Sequence, residues 1–159
     1  MTVASYLCAV CRSVEALKRC DKSPEVVCAV ARLFERDRKT DKARKWYERA
    51  IALDPQLGDA WAYSYAFELR QDAIRTSRAA SDTPAGAGAG LAEDVLKRCV
   101  TAAPTKGELW CAVKKRTENR HLDTAAILRK AVEEILQVTG GHNSDQAAGG
   151  EAEHTMATE

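Results

Sequence analysis

Residues 41–69 read DKARKWYERAIALDPQLGDAWAYSYAFEL. The stretch holds two amphipathic runs broken at Asp54-Pro55, because the residue before a proline is pushed out of the α region. In the first run Ala43, Trp46, Tyr47, Ala50 and Ile51 share one helical face, while Lys42, Arg44, Lys45, Glu48 and Arg49 lie mostly off it. The second run opens at Gly58-Asp59 and carries Trp61, Tyr65 and Leu69 on one side, with Phe67 flanking. This is the second helix of one hairpin joined to the first helix of the next. Such a junction cannot bury its apolar faces alone, so it predicts similar hairpins stacked on both sides.

The neighbours are there. Upstream, Ser23-Pro24 is a helix start, with Ser as an N-cap oxygen and Pro at the first helical position, where its missing N–H is not needed. Glu25 adds negative charge at the positive end of the helix dipole. Val26, Val27, Val30, Leu33 and Phe34 follow at helical spacing and predict a helix to about Arg38. Thr40-Asp41 restarts the chain by the same capping logic. Downstream, helices are predicted from about Leu91 to Pro104, from about Gly107 through KGELWCAVKKRT, and over TAAILRKAVEEILQV after a turn at His121 to Asp123. Residues 76–90, TSRAASDTPAGAGAG, lack an apolar period and predict a flexible surface loop.

Three units superimpose. The first helices align as SPEVVCAVARLF, LGDAWAYSYAFE and KGELWCAVKKRT, bringing Val27, Trp61 and Trp110 into one register and the first-turn acids Glu25, Asp59 and Glu108 into another. The second helices align Tyr47 with Leu96 and Leu128, and Ala50 with Cys99 and Ala131. A small residue at the latter position lets two helices approach. Pro55 and Pro104 close their units, the second 49 residues after the first (104 − 55). A tetratricopeptide unit has about 34 residues, and the excess matches the 76–90 insert. The expected organisation is therefore an all-α superhelix of three hairpins, 23–57, 58–106 and 107–138. A leading segment 1–22 with a short helix from about Val10 to Cys20 precedes it, and a disordered tail 139–159 follows.

Bulk composition excludes several classes of function. The chain has 159 residues with 24 basic and 23 acidic side chains, a net charge of +1, so no global field draws in nucleic acid or an anionic membrane. No apolar run reaches membrane-spanning length. No secretory signal is expected, so the six cysteines are read as free thiols in a reducing compartment. His121, His142 and His154 stand beside no nucleophile with an orienting acid, and Gly86, Gly88 and Gly90 are not followed by Lys-Ser/Thr, so no catalytic or cofactor-binding residue is assigned. Cys8 and Cys11 form one close pair, but Cys20 and Cys28 fall on different predicted helices. Small core residues are a better reading than a zinc site, so no metal ligand is assigned. Trp46, Trp61 and Trp110 read as core at repeat register, with Trp46 the exception because Tyr47 takes the repeat position beside it. In RLFERDRKTDKARK (32–45) basic residues outnumber acids. A solvated helix face explains this, and a local phosphate or partner contact at Arg36, Arg38 and Lys39 is the rival.

Trp in the first helix, with aromatic-Glu-Arg-Ala and a closing Pro in the second, resembles the half-a-tetratricopeptide (HAT) repeat. RSVEALKRC (12–20), SPEVVCAVARLF (23–34), KARKWYERAIALDPQLGDAWAYSYAFEL (42–69) and PTKGELWCAVKK (104–115) resemble the carboxy-terminal end of the pre-mRNA-processing factor 6 family. The resemblance spans about Arg12 to Val138 without 76–90. It implies a nuclear, non-enzymatic scaffold that bridges U5 and U4/U6 particles in the tri-snRNP. The implied partners are other spliceosomal snRNP proteins, with local snRNA contact and no membrane, cofactor or small-molecule substrate. Two other readings are a HAT scaffold of another RNA-processing complex and a tetratricopeptide module that grips peptide tails. The absence of Asn from the first-helix faces counts against the carboxylate clamp of the latter.

Overall fold

A computed structural model describes residues 22–79 and 90–140, together with Glu15 and Cys20. Among the described residues six α-helices are delimited: α1 (Pro24–Arg36), α2 (Thr40–Leu53), α3 (Gly58–Ala79), α4 (Leu91–Ala102), α5 (Glu108–Lys115) and α6 (Thr124–Gly140). A 3₁₀ turn, Thr117–Asn119, links the last two. Sequential pairs α1/α2, α3/α4 and α5/α6 pack as hairpins, and the hairpins stack into an all-α superhelix. Most of the leading segment, residues 80–89 of the insert, and the tail from 141 lie outside the described residues.

Several boundaries differ from the sequence expectation for local reasons. α1 stops at Arg36 and not at Arg38. The Arg38 amide donates to the Glu35 carbonyl and the Lys39 amide to the Phe34 carbonyl, with Arg38 left-handed at φ 56°. That pair of bonds is a Schellman closure, which satisfies the last carbonyls and ends the helix. Ser23 occupies the N-cap position, but its hydroxyl donates to Glu25 at 2.7 Å and makes no bond to the backbone. Thr40 is already helical, with Lys39 before it and no side-chain cap. α3 runs on to Ala79, so residues 76–79 are helix and not loop. Thr76 Oγ1 donates to the Asp72 carbonyl at 2.9 Å and Ser77 Oγ to the Ile74 carbonyl at 2.9 Å, so both hydroxyls are satisfied on the helix itself. α6 likewise takes in Thr139 and Gly140.

α3 is the hub of the stack and packs against all five other helices. Ala60, Trp61, Ala62, Ser64, Tyr65, Ala66, Phe67 and Glu68 are all buried. One apolar side was expected, but the first half of this helix is enclosed by neighbours on most of its circumference, with Asp59 and Tyr63 left partly exposed. The polar exception is resolved by charge. Glu68, 3% exposed, receives Arg44 Nε at 2.6 Å and Nη2 at 3.0 Å in a two-pronged pair between α2 and α3. Beside it, Tyr47 donates to Glu35 at 2.9 Å and Arg70 Nε donates to the same carboxylate at 2.7 Å. These bonds tie α1, α2 and α3 together at one end of the first hairpin.

Candidate binding surface

The joint between the second and third units sets the geometry of the surface. The loops before α3 and before α5 run side by side in the register of the sequence repeat. Leu57 and Lys106 form a parallel bridge, the Gly58 amide donates to the Lys106 carbonyl at 2.7 Å, and the Lys106 amide donates to the Gln56 carbonyl at 2.9 Å. Gln56 Nε2 reaches the Ala102 carbonyl at 3.1 Å. Asp59, in the first turn of α3, accepts from the amides of Glu108 at 2.8 Å, Leu109 at 3.3 Å and Trp110 at 2.8 Å. One carboxylate thus satisfies three orphan donors at the start of the next unit's first helix and opposes its dipole. Trp110 lies flat against Gly58, where a Cβ would come within 2.2 Å of the ring. Gly107, at φ +123°, gives Asp59 the same freedom of approach.

The repeat-register residues occupy this frame as follows. Val27, Tyr47, Ala50, Trp61, Leu96, Cys99, Trp110, Leu128 and Ala131 are buried, each at 5% exposure or less. Pro104 is buried as well, whereas Pro55 is exposed at the outer bend and packs less than its counterpart. The Trp61 indole N–H donates to the Pro55 carbonyl at 2.9 Å, so this proline contributes through its backbone. Trp46 is half-buried, stacked on Phe34 with ring centres 6.1 Å apart, and the Arg49 guanidinium covers it at 5.2 Å. Arg36, Arg38 and Lys39 are exposed at the α1–α2 turn, where Lys39 pairs with Asp37.

The first helices line two adjoining hollows that together make a trough. One part, ≈ 370 Å³, is walled by Tyr63, Leu109, Ala112, Ile135 and Val138. The other, ≈ 190 Å³, is walled by Cys28, Ala29 and Leu57. Arg32, Asp59 and Tyr63 belong to both. The Arg32 guanidinium carbon sits 5.0 Å above the Tyr63 ring. The acids Glu25, Asp59 and Glu108, in repeat register, run along the trough, and Glu134 adds a fourth carboxylate whose Oε1 lies 2.5 Å from Arg116. Burial, helped by the charges of Glu25 and Asp59, pushes the Cys28 thiol up to about 12. Burial alone does the same to Cys99. Both thiols are therefore packing groups at neutral pH and not nucleophiles. The sequence flagged the register of the three acids but not the trough, since Arg32, Tyr63, Leu109 and Ile135 share no sequence pattern.

No family profile matches the chain. Curated relatives do. Human pre-mRNA-processing factor 6 is 42% identical over 118 residues, 74% of this chain. The chain is homologous to pre-mRNA-processing factor 6. Protein STABILIZED1 of Arabidopsis thaliana is 37% identical over 121 residues, and Pre-mRNA-splicing factor prp1 of Schizosaccharomyces pombe is 26% identical over 121 residues, 76% of the chain in each case. The chain spans about a tenth of the length of these relatives: 10% of STABILIZED1, 11% of the human factor and 12% of prp1. The homology to pre-mRNA-processing factor 6 exceeds any one hairpin, so it covers a stack of units and not an isolated motif.

Proposed function

We propose that the chain is a non-enzymatic, HAT-type binding module of pre-mRNA splicing. In this reading it works in the nucleus, holds other spliceosomal snRNP proteins, and contributes to bridging U5 and U4/U6 particles in the tri-snRNP. The observation that carries the proposal is the 42% identity to human pre-mRNA-processing factor 6 over 118 residues. The architecture suits the task. Stacked hairpins keep their helices at fixed spacing through the Asp59 cap and the paired loops, and so present a long surface without needing chemistry. The same repeat-packing residues, from Val27 to Ala131, act in this proposal by holding shape.

The test is affinity purification of the tagged full chain from nuclear extract, with identification of associated proteins and small nuclear RNAs. Recovery of U5 proteins and U5 RNA is expected. Recovery of a 3′-end or ribosomal RNA maturation complex without U5 components rejects the assignment and selects another RNA-processing scaffold. Charge reversal at Arg36, Arg38 and Lys39 separates direct RNA contact from protein contact: loss of RNA crosslinks with protein recovery intact assigns the RNA contact to that turn.

A further inference from the structure

We propose that the trough across α1, α3 and α5 is a docking site for an extended basic segment of a partner protein, anchored by one apolar side chain. The inference deepens the scaffold reading and rests on it only for the class of partner, a protein.

Charge complementarity names the occupant. The trough lining carries four carboxylates, Glu25, Asp59, Glu108 and Glu134, against one guanidinium, Arg32. Two of the four are used by the fold. Asp59 is saturated by three amides of α5, and Glu134 lies beside Arg116. Glu25 and Glu108 are exposed, and among the described residues Glu25 receives the Ser23 hydroxyl. Arg32 is turned onto Tyr63. The surplus negative charge at the two ends of the trough therefore faces solvent, and it repels a phosphate backbone or an acidic peptide.

Geometry then sets the spacing. α1, α3 and α5 are successive stacked helices, and packed helices lie about 8–10 Å apart. Glu25 and Glu108 are equivalent residues two helices apart, so the span between them is about 16–20 Å. An extended chain rises about 3.3 Å per residue, so basic side chains about five or six residues apart reach both. Beside Glu108 the lining is apolar: Leu109 is half-buried and Val138 is 78% exposed, over the buried Ile135. A Leu, Ile or Met side chain entering there removes apolar surface that the chain itself leaves in water. The groove between α2 and α4 has the opposite character: it carries Lys97 and Arg98 against Glu48 and serves as an internal control.

The test is selection of a displayed library of random twelve-residue peptides on the immobilised full chain, followed by anisotropy titration of one labelled synthetic consensus peptide. Enrichment of sequences with Lys or Arg five to six residues apart and a nearby Leu, Ile or Met is expected. The double variant Glu25→Gln/Glu108→Gln weakens that peptide by about tenfold and Val138→Ser by about threefold. Lys97→Ser leaves it unchanged. Circular dichroism melting shows that each variant is folded. No enrichment, enrichment of acidic peptides, binding indifferent to the double variant, or displacement of the peptide by a single-stranded U12 oligonucleotide each overturns the proposal. Failure is separable from that of the splicing assignment. A basic consensus with no U5 recovery from extract leaves the trough standing and removes the assignment, and U5 recovery that survives alongside a failed selection does the reverse.

Discussion

Gly58→Ala tests the joint on which the third unit is seated. The new Cβ would stand 2.2 Å from Trp110 Cδ2, 2.3 Å from Cγ and 2.7 Å from Cε3. Carbon atoms in contact rest at about 3.5–4.0 Å, so the ring and the α3 terminus must separate by about 1.3 Å or more. Trp110 is 1% exposed, and its own amide is held by Asp59, so the ring has no open side to move into. Overpacking of this kind costs about 1–3 kcal/mol, and this site belongs at the upper end. Replacing glycine recovers about 0.4–1 kcal/mol by restricting the unfolded chain. The net loss expected is about 2 kcal/mol, which lowers Tm by roughly 8 °C for a folded region of this size. Urea and thermal unfolding followed by circular dichroism measure it. Trp110→Leu relieves the clash, so the double variant Gly58→Ala/Trp110→Leu loses at least about 1 kcal/mol less than the two single losses combined. A stabilising Gly58→Ala, or strictly additive losses, refutes the reasoning.

Three further outcomes follow from other parts of the fold. Arg44→Ala leaves Glu68 buried without its cation and costs about 3 kcal/mol, whereas Glu68→Ala costs less because Arg44 is 29% exposed and can turn to water; chemical denaturation ranks the two. Arg38→Gly removes a left-handed non-glycine residue at the α1 closure and raises stability by about 0.5 kcal/mol, so a binding defect in that variant reports the guanidinium and not the fold. Stability falls at alkaline pH: the Cys28 and Cys99 thiols are raised to about 12 by burial, and burial with Glu35 raises Tyr47 above its ordinary value. These groups ionise first in the unfolded chain. Their contribution is therefore complete below about pH 8.5 and is lost progressively as pH climbs toward 12. Denaturation midpoints between pH 7 and 11 check the direction, and Cys28→Ala/Cys99→Ala flattens the decline.

The sequence by itself determined the hairpins, their order and their register. Helical period is a local property, and the breaks at Asp54-Pro55 and before Gly107 follow from backbone chemistry within a few residues. The 49-residue offset that pairs Pro55 with Pro104 also pairs Gln56 with Thr105 and Asp59 with Glu108 in space, because stacking units of one shape preserves equivalent positions. The 15-residue low-complexity stretch was less legible. Its first four residues continue α3, with the Thr76 and Ser77 hydroxyls bonded to carbonyls about one turn back, and composition does not reveal that.

Only the tertiary structure decided what surrounds each helix. Glu68 has the sequence environment of a solvent-facing residue, yet it is buried because α2 delivers Arg44 to it from 24 residues away. Asp59 looked like a first-turn acid of its own helix, and it is equally the cap of the next unit's helix. The trough exists because three helices distant in sequence lie side by side, with the end of α6 completing the wall. A 3.6-residue period says which face of a helix is apolar; it cannot say which neighbour covers that face or where the covering stops. That boundary, from the closed joint at Gly58 and Trp110 to the open wall at Leu109 and Val138, separates the residues that hold the shape from those left to meet a partner.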